Sequence, residues 1–149
     1  MKIYVGADHN GFHDKAALVD HLKRLGYDVA DDGDAQMDPE DDYPIFAEKV
    51  AKDVLGSGDA DARGILLCGS GQGVCMAANR FKGIRAALGY DVESVRSSRN
   101  DDDANVLCLP ARTLDADGVN QLAEIFLKTP FAAAERFVRR IHELDGLAP

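Results

Sequence analysis

A three-layer α/β fold, with an open parallel sheet of five strands flanked by helices, is predicted by three observations. Short apolar runs alternate with amphipathic stretches along the whole chain. Strands separated by helices in strict alternation pair in parallel through right-handed crossovers. The chain has 149 residues, which the usual length prior assigns to one domain with a real core, 1–149.

Each element follows in order. Lys2 to Ala7 reads as the first strand. Phe12 to Leu25 reads as a helix, with Phe12, Ala16, Val19, Leu22 and Leu25 as its apolar stripe and Gly26 as its stop. Tyr27 to Ala30 forms a second strand, and an acidic loop spans Asp31 to Asp42. Pro44 suits a first helical turn, and Ile45 to Leu55 continue that helix. Gly64 to Leu67 is a third strand ending at Cys68. The glycine-rich turn Gly69-Ser70-Gly71-Gln72-Gly73 leads into a helix from Val74 to Arg80. Ile84 to Leu88 and Val106 to Leu109 are the remaining strands, the latter stopped by Pro110. Val92 to Arg99, Asp115 to Leu127 and Ala132 to Leu144 are the remaining helices. The arrangement is Rossmann-like, and ligands of such sheets sit beyond the carboxyl ends of the strands. The expectation is that Asp8-His9-Asn10-Gly11, Cys68 with its glycine turn, Arg99 to Asn105, and Arg112 all gather on that one edge.

Composition narrows the function. Hydrophobic residues make up 46% and charged residues 29%, an ordinary globular balance. Net charge is -9, which disfavours nonspecific contact with nucleic acid or anionic membrane. Cys68, Cys75 and Cys108 are odd in number and form no Cys-x-x-Cys, which fits a reducing compartment. Met1-Lys2 runs straight into Ile3-Tyr4-Val5 without a signal-peptide pattern, and no apolar run is long enough to span a membrane. A cytoplasmic protein is expected.

Several residues could carry chemistry. Glycines between a strand and a helix let backbone amides face an anion, although the same spacing also serves a plain tight turn. The spacing is not a dinucleotide fingerprint, and the Lys-[Ser/Thr] ending of a P-loop is absent. Cys68, at a strand end before a helix, has its thiolate stabilised by amide dipoles and can act as base or nucleophile; a small buried core residue is the alternative. Cys75 and Cys108 read as core. Asp8 and His9 can bind hydroxyls and phosphate or move protons, or simply cap a helix. His13, His21 and His142 read as surface residues. On the last helix Phe137, Ile141 and Leu144 face the core, Arg136 and Arg140 can clamp a phosphate or form an ordinary solvated face, and Arg139 points to solvent. The acidic runs lack EF-hand spacing, and no zinc pattern occurs.

Together these segments resemble the ribose-5-phosphate isomerase B family, which also holds galactose-6-phosphate isomerase subunits. The resemblance rests on Asp8-His9-Asn10-Gly11-Phe12, Asp42-Tyr43-Pro44, Gly64 to Gly73, Ala77-Ala78-Asn79-Arg80, Gly83-Ile84-Arg85-Ala86-Ala87, Asp103-Ala104-Asn105-Val106-Leu107 and Arg136 to Arg140. It implies aldose–ketose isomerisation of a phosphorylated sugar, ribose 5-phosphate foremost, through a cis-enediolate, with no cofactor, metal or nucleotide. Cys68 matches the base, Ser70 the neighbouring hydroxyl, and the amides of Gly69, Gly71, Gln72 and Gly73 the anion hole. His9, Arg136 and Arg140 match phosphate ligands, Arg112 a further basic position, and Asp8 a sugar-hydroxyl contact. Tyr43 and Asp102 complete the implied substrate set. Family members are homodimers or dimers of dimers with shared sites.

Two departures stand out. Asp101 and Asp102 occupy positions where the family commonly has His and Asn, the His being credited with ring opening. Phe137 replaces a His usual between the two arginines. Asp101 as the ring-opening base, reliance on open-chain sugar, and a different sugar phosphate (a tetrose or hexose phosphate) all fit. A silent sugar-phosphate-binding relative fits the same change.

Overall fold

The computed structural model describes residues 1–147. The chain order is β1 (Lys2–Ala7), a single 3-10 turn (His9–Gly11), α1 (Phe12–Arg24), β2 (Asp28–Asp31), α2 (Tyr43–Gly56), β3 (Arg63–Cys68) and α3 (Gln72–Ala78). It continues with β4 (Ala86–Leu88), α4 (Val92–Asn100), β5 (Val106–Pro110), α5 (Ala116–Lys128) and α6 (Glu135–Asp145). All strand pairings are parallel, in the order β2-β1-β3-β5-β4. The five strands and their intervening helices are those the sequence predicts, with no end shifted by more than three residues.

Alternation along the central strands builds two cores. Ile3, Val5, Ala7, Ile65, Leu67, Leu107 and Leu109 pack against α1, α4 and α5. Tyr4, Leu66, Cys68, Val106 and Cys108 point to the other face, where α2 and α3 lie. The period of two in a strand assigns neighbours to opposite faces, so Cys68 belongs to the α2/α3 face. Cys108 is fully buried there, and Cys75 is half-buried with its thiol donating to the Ala86 carbonyl at 3.4 Å.

The stripe of α1 differs from expectation. Lys15, Leu18, Val19 and Leu22 face inward, whereas Ala16 and Leu25 are exposed and Phe12 is half-buried. Lys15 makes this rotation possible. Its ammonium reaches both carboxylate oxygens of Asp31 at 2.8 and 2.9 Å and the Asp34 carbonyl at 3.0 Å. A buried lysine is tolerated when paired and hydrogen-bonded in this way. On α6, Phe137 is buried as predicted, but Leu144 is half exposed, since only the first turn of that helix reaches the core. His21 is not a free surface residue: its Nε2 lies 2.8 Å from Glu124 on α5.

β1 connects outward to β2 and, in the other direction, adjoins β3. The crevice between the carboxyl ends of β1 and β3 is therefore the topological switch point of the sheet, where ligands of open α/β folds bind.

Candidate active site

The loops that leave β1 and β3 meet at that switch point. The Asp8 amide donates to the Leu67 carbonyl at 3.2 Å, and the turn after β5 is tied on by Ala111 and Arg112 amides donating to the carbonyls of Cys68 and Gly69. Cys68 closes β3 and is 4% exposed. Its sulfur accepts a hydrogen bond from the Gly71 amide at 3.1 Å. Gly71 has φ +73°, which turns that amide back toward the sulfur and starts α3. Few residues other than glycine adopt this conformation without cost.

Close packing explains the other two glycines. A Cβ on Gly69 would lie 2.9 Å from the Arg112 guanidinium, and one on Gly73 would lie 2.8 Å from the Tyr43 ring. Arg112 and Tyr43 therefore rest directly on the backbone of the turn. Ser70 is exposed, and its hydroxyl accepts from the Gln72 amide at 3.3 Å.

Asp8 is 6% exposed and caps the following turn, accepting from the Asn10 and Gly11 amides at 2.9 and 3.3 Å. Beside it, His9 Nδ1 lies 2.7 Å from Asp41 Oδ1, which also accepts the His9 amide at 3.0 Å. His9 Nε2 lies 2.9 Å from the Asn10 side-chain nitrogen, and Asn10 Oδ1 accepts from Arg112 at 3.0 Å. Asp41, His9, Asn10 and Arg112 thus form one chain of contacts ending above Gly69. The hydrogen bond that His9 donates to the Asp41 carboxylate raises the imidazole above its ordinary pKa; partial desolvation opposes it, Asp8 and Asp41 charges add to it, and Arg112 counters. Asp8, His9 and Asp41 offer ligand atoms within 4.8 Å of one another, but here those atoms are engaged in hydrogen bonds.

The expected gathering on one edge is only partly realised. Asp8, His9, Tyr43, Cys68, the glycine turn and Arg112 converge. The segment from Arg99 to Asn105 lies at the opposite, amino-terminal edge of the sheet. Asn105 accepts from the Gly64 amide and donates to the Arg85 carbonyl, beside the first residues of β3, β4 and β5. The reason is direction: α4 starts above the carboxyl end of β4 and must return to the bottom before β5 begins. The four residue steps from Gly64 to Cys68 alone separate the edges by ~13 Å.

Asp101 and Asp102 sit at this lower edge with α6. Asp101 accepts from the Asn100 side chain at 2.7 Å. Partial desolvation raises the Asp102 carboxyl above its ordinary value, the Asp101 charge adds to this, and Arg140 opposes it. Arg136 and Arg140 are both exposed, and Arg136 stacks over Phe137 at 4.7 Å. Asp103, at φ +47°, takes Arg85 at 2.9 Å and Arg99 at 2.7 Å.

Asp41 was hidden within an acidic loop that reads as solvated. Its pairing with His9 spans 32 residues, and only its neighbour, the Asp42-Tyr43-Pro44 motif, marked the region.

Comparison with known proteins agrees with this geometry. Residues 3–144 match the family model described as Ribose/Galactose Isomerase. The chain is 34% identical to the ribose-5-phosphate isomerase B of Mycobacterium tuberculosis over 141 residues, covering 95% of this chain and 86% of that protein. The crystal structure of ribose-5-phosphate isomerase B from Mycoplasma genitalium with bound ribulose-5-phosphate superposes with TM-score 0.93 at 39% identity, covering 98% and 95% of the two chains. The Clostridium thermocellum ribose-5-phosphate isomerase B gives TM-score 0.92 at 37% identity, covering 99% and 97%. Sequence, architecture and matched length agree, and the chain belongs to the ribose/galactose isomerase family as an aldose–ketose isomerase.

Proposed function

We propose that this chain interconverts ribose 5-phosphate and ribulose 5-phosphate, with Cys68 as the base. The carrying observation is the Cys68 sulfur held by the Gly71 amide at 3.1 Å, at the sheet's switch point and beside Asp8 and His9. Cys68 takes the proton from C2 of the aldose, leaving a cis-enediolate, and returns it to C1 while the hydroxyl proton on O2 passes to O1, which gives the ketose. The amides of Gly69, Gly71, Gln72 and Gly73 stabilise the charge that develops on the enediolate oxygens. Ser70 hydrogen-bonds beside the thiol, and Asp8 and Tyr43 hold the sugar. His9, Arg112, Arg136 and Arg140 supply positive charge for the phosphate. Asp101 accepts the proton of the anomeric hydroxyl during ring opening, as the bond from C1 to the ring oxygen breaks and that oxygen takes a proton from water, with Asp102 beside it.

A homodimer follows from the same reading. Cys68 and the Asp101–Arg140 group lie at opposite edges of one sheet, so a second copy is needed to complete each site; a dimer of dimers satisfies the same requirement. Three free cysteines support a cytoplasmic location.

Proton NMR in heavy water with ribose, tetrose and hexose phosphates tests the reaction. Deuterium should enter C1 and C2 of the pentose phosphates fastest. Preferential exchange into another sugar would move the substrate assignment, as the two carboxylates at 101 and 102 allow; binding without exchange would mark a silent relative. Mixing Cys68→Ala with the Arg136→Ala/Arg140→Ala variant tests the shared site. Random reassembly should restore activity toward about a quarter of wild type, and no recovery would show that each site is built within one copy.

A further inference from the structure

A cavity of about 780 Å³ opens at the amino-terminal edge beneath β3, β4 and β5. Arg63, Arg85, Arg99 and Lys128 line it, against the carboxylates of Asp59, Asp61 and Asp103. In a chain of net charge -9 this is a local reversal of sign.

The three guanidiniums are unequally satisfied. Arg85 donates to the Asp102 and Asp103 carbonyls at 3.1 Å and to the Asp103 carboxylate at 2.9 Å. Arg99 donates to the same carboxylate at 2.7 Å and to the Ala104 carbonyl at 2.6 Å. Asp103 therefore serves two arginines. Arg63 opens β3 and is only 9% exposed. Among the described residues it makes one hydrogen bond, to the Ala62 carbonyl at 2.9 Å. Its ion-pair partner, Asp61, is 3.8 Å away and largely in water. A guanidinium carries five N–H donors, so most of Arg63's capacity is unused. Burial, and then the charge of Arg99, pull its pKa below the ordinary arginine value, with Asp103 and Asp61 opposing. A buried charge this poorly neutralised is stable only with compensation.

We infer that this cavity binds a small oxyanion, of the phosphate or phosphate-monoester class, with Arg63 as its principal ligand. The planar fork of Arg63 matches two oxygens of such an anion, and Arg99 and Arg85 behind it add charge. The pocket contains neither Cys68 and its glycine turn nor Arg136 and Arg140, so it is separate from the isomerisation site.

Calorimetric titration with inorganic phosphate tests this on four proteins: wild type, Arg63→Gln, Arg136→Ala/Arg140→Ala, and the triple variant that combines them. Binding should survive in the double variant and weaken about tenfold or more when Arg63→Gln is added to that background, where the arginines of the isomerisation site are already absent. Isomerase activity of Arg63→Gln without phosphate should match wild type, which also reports folding. If that variant fails to fold, Arg63→Lys keeps the charge but loses the fork, and should weaken binding in the same direction. Glycerol phosphate titrated into the double variant separates the two sources: tighter binding than inorganic phosphate assigns an organic monoester, weaker binding the free ion. Undiminished affinity when Arg63→Gln is added to the double variant, or loss of all phosphate binding in the double variant, would overturn the inference.

Discussion

Replacing Gly71 with alanine should damage stability and turnover together, and the two costs can be separated. Gly71 has φ +73°, a left-handed conformation that costs an L-residue ~1–2 kcal/mol. The new Cβ would lie 2.5 Å from a Leu88 methyl and 3.2 Å from the Leu109 carbonyl carbon. Overpacking of this kind adds ~1–3 kcal/mol. The sum, ~2–5 kcal/mol, corresponds to a fall in Tm of about 4–20 °C for a chain of this size. Gly58→Ala is the control. Its φ of +69° is nearly the same, but nothing lies within 4 Å of the added Cβ, so only the backbone cost applies. Urea denaturation of both variants measures the difference. Because the Gly71 amide also holds the Cys68 sulfur, Gly71→Ala should lose about tenfold or more in kcat while Gly58→Ala keeps it. Equal destabilisation of the two variants, or full turnover in Gly71→Ala, would refute the account of the cradle.

Asp41→Asn should lower the pH at which ribose 5-phosphate affinity is lost. Asp41 holds the imidazolium of His9, so KM should rise through a lower pH range without it, seen in the pH profile of kcat/KM. Cys68→Ala should retain the fold by circular dichroism but lose ~10²-fold or more in kcat, the scale of a lost general base. Arg136→Ala and Arg140→Ala should each raise KM with kcat little changed, measured by steady-state kinetics, because phosphate grip is the same before and during reaction. Asp32, pushed up to about 6 mainly by burial and then by Asp53, with Lys49 opposing, has a folded pKa above its unfolded value of 3.8. The native state therefore binds the proton more tightly, and stability is lost as pH rises from about 4 to about 6. Asp32→Asn should remove that decline and stabilise the fold at pH 7 by at most ~3 kcal/mol, read from urea titrations across this range.

The amino-acid sequence by itself determined the order of elements, the glycine turn after β3 and the position of Cys68 at its end. These depend on local periodicity and on residues within a few positions of each other. The matching motifs also carried the family, because they are short and keep their order. Tertiary structure decided the rest. Which edge receives the Asp101–Asp103 segment depends on how α4 crosses the sheet, so one chain holds that segment and Cys68 at opposite edges. Lys15 is absent from the apolar stripe the spacing predicts, and it turns inward because packing brings Asp31 to its ammonium. Asp41 is one acid of the Asp31–Asp42 loop until packing sets it against His9, and Arg63 stands one residue before the predicted third strand until Arg85 and Arg99 are packed near it. In each case the partner lies sixteen or more residues away. Charge and hydrogen-bonding capacity are written in the sequence, but whether they are spent on a neighbour, on water or on a ligand is fixed only when distant segments pack.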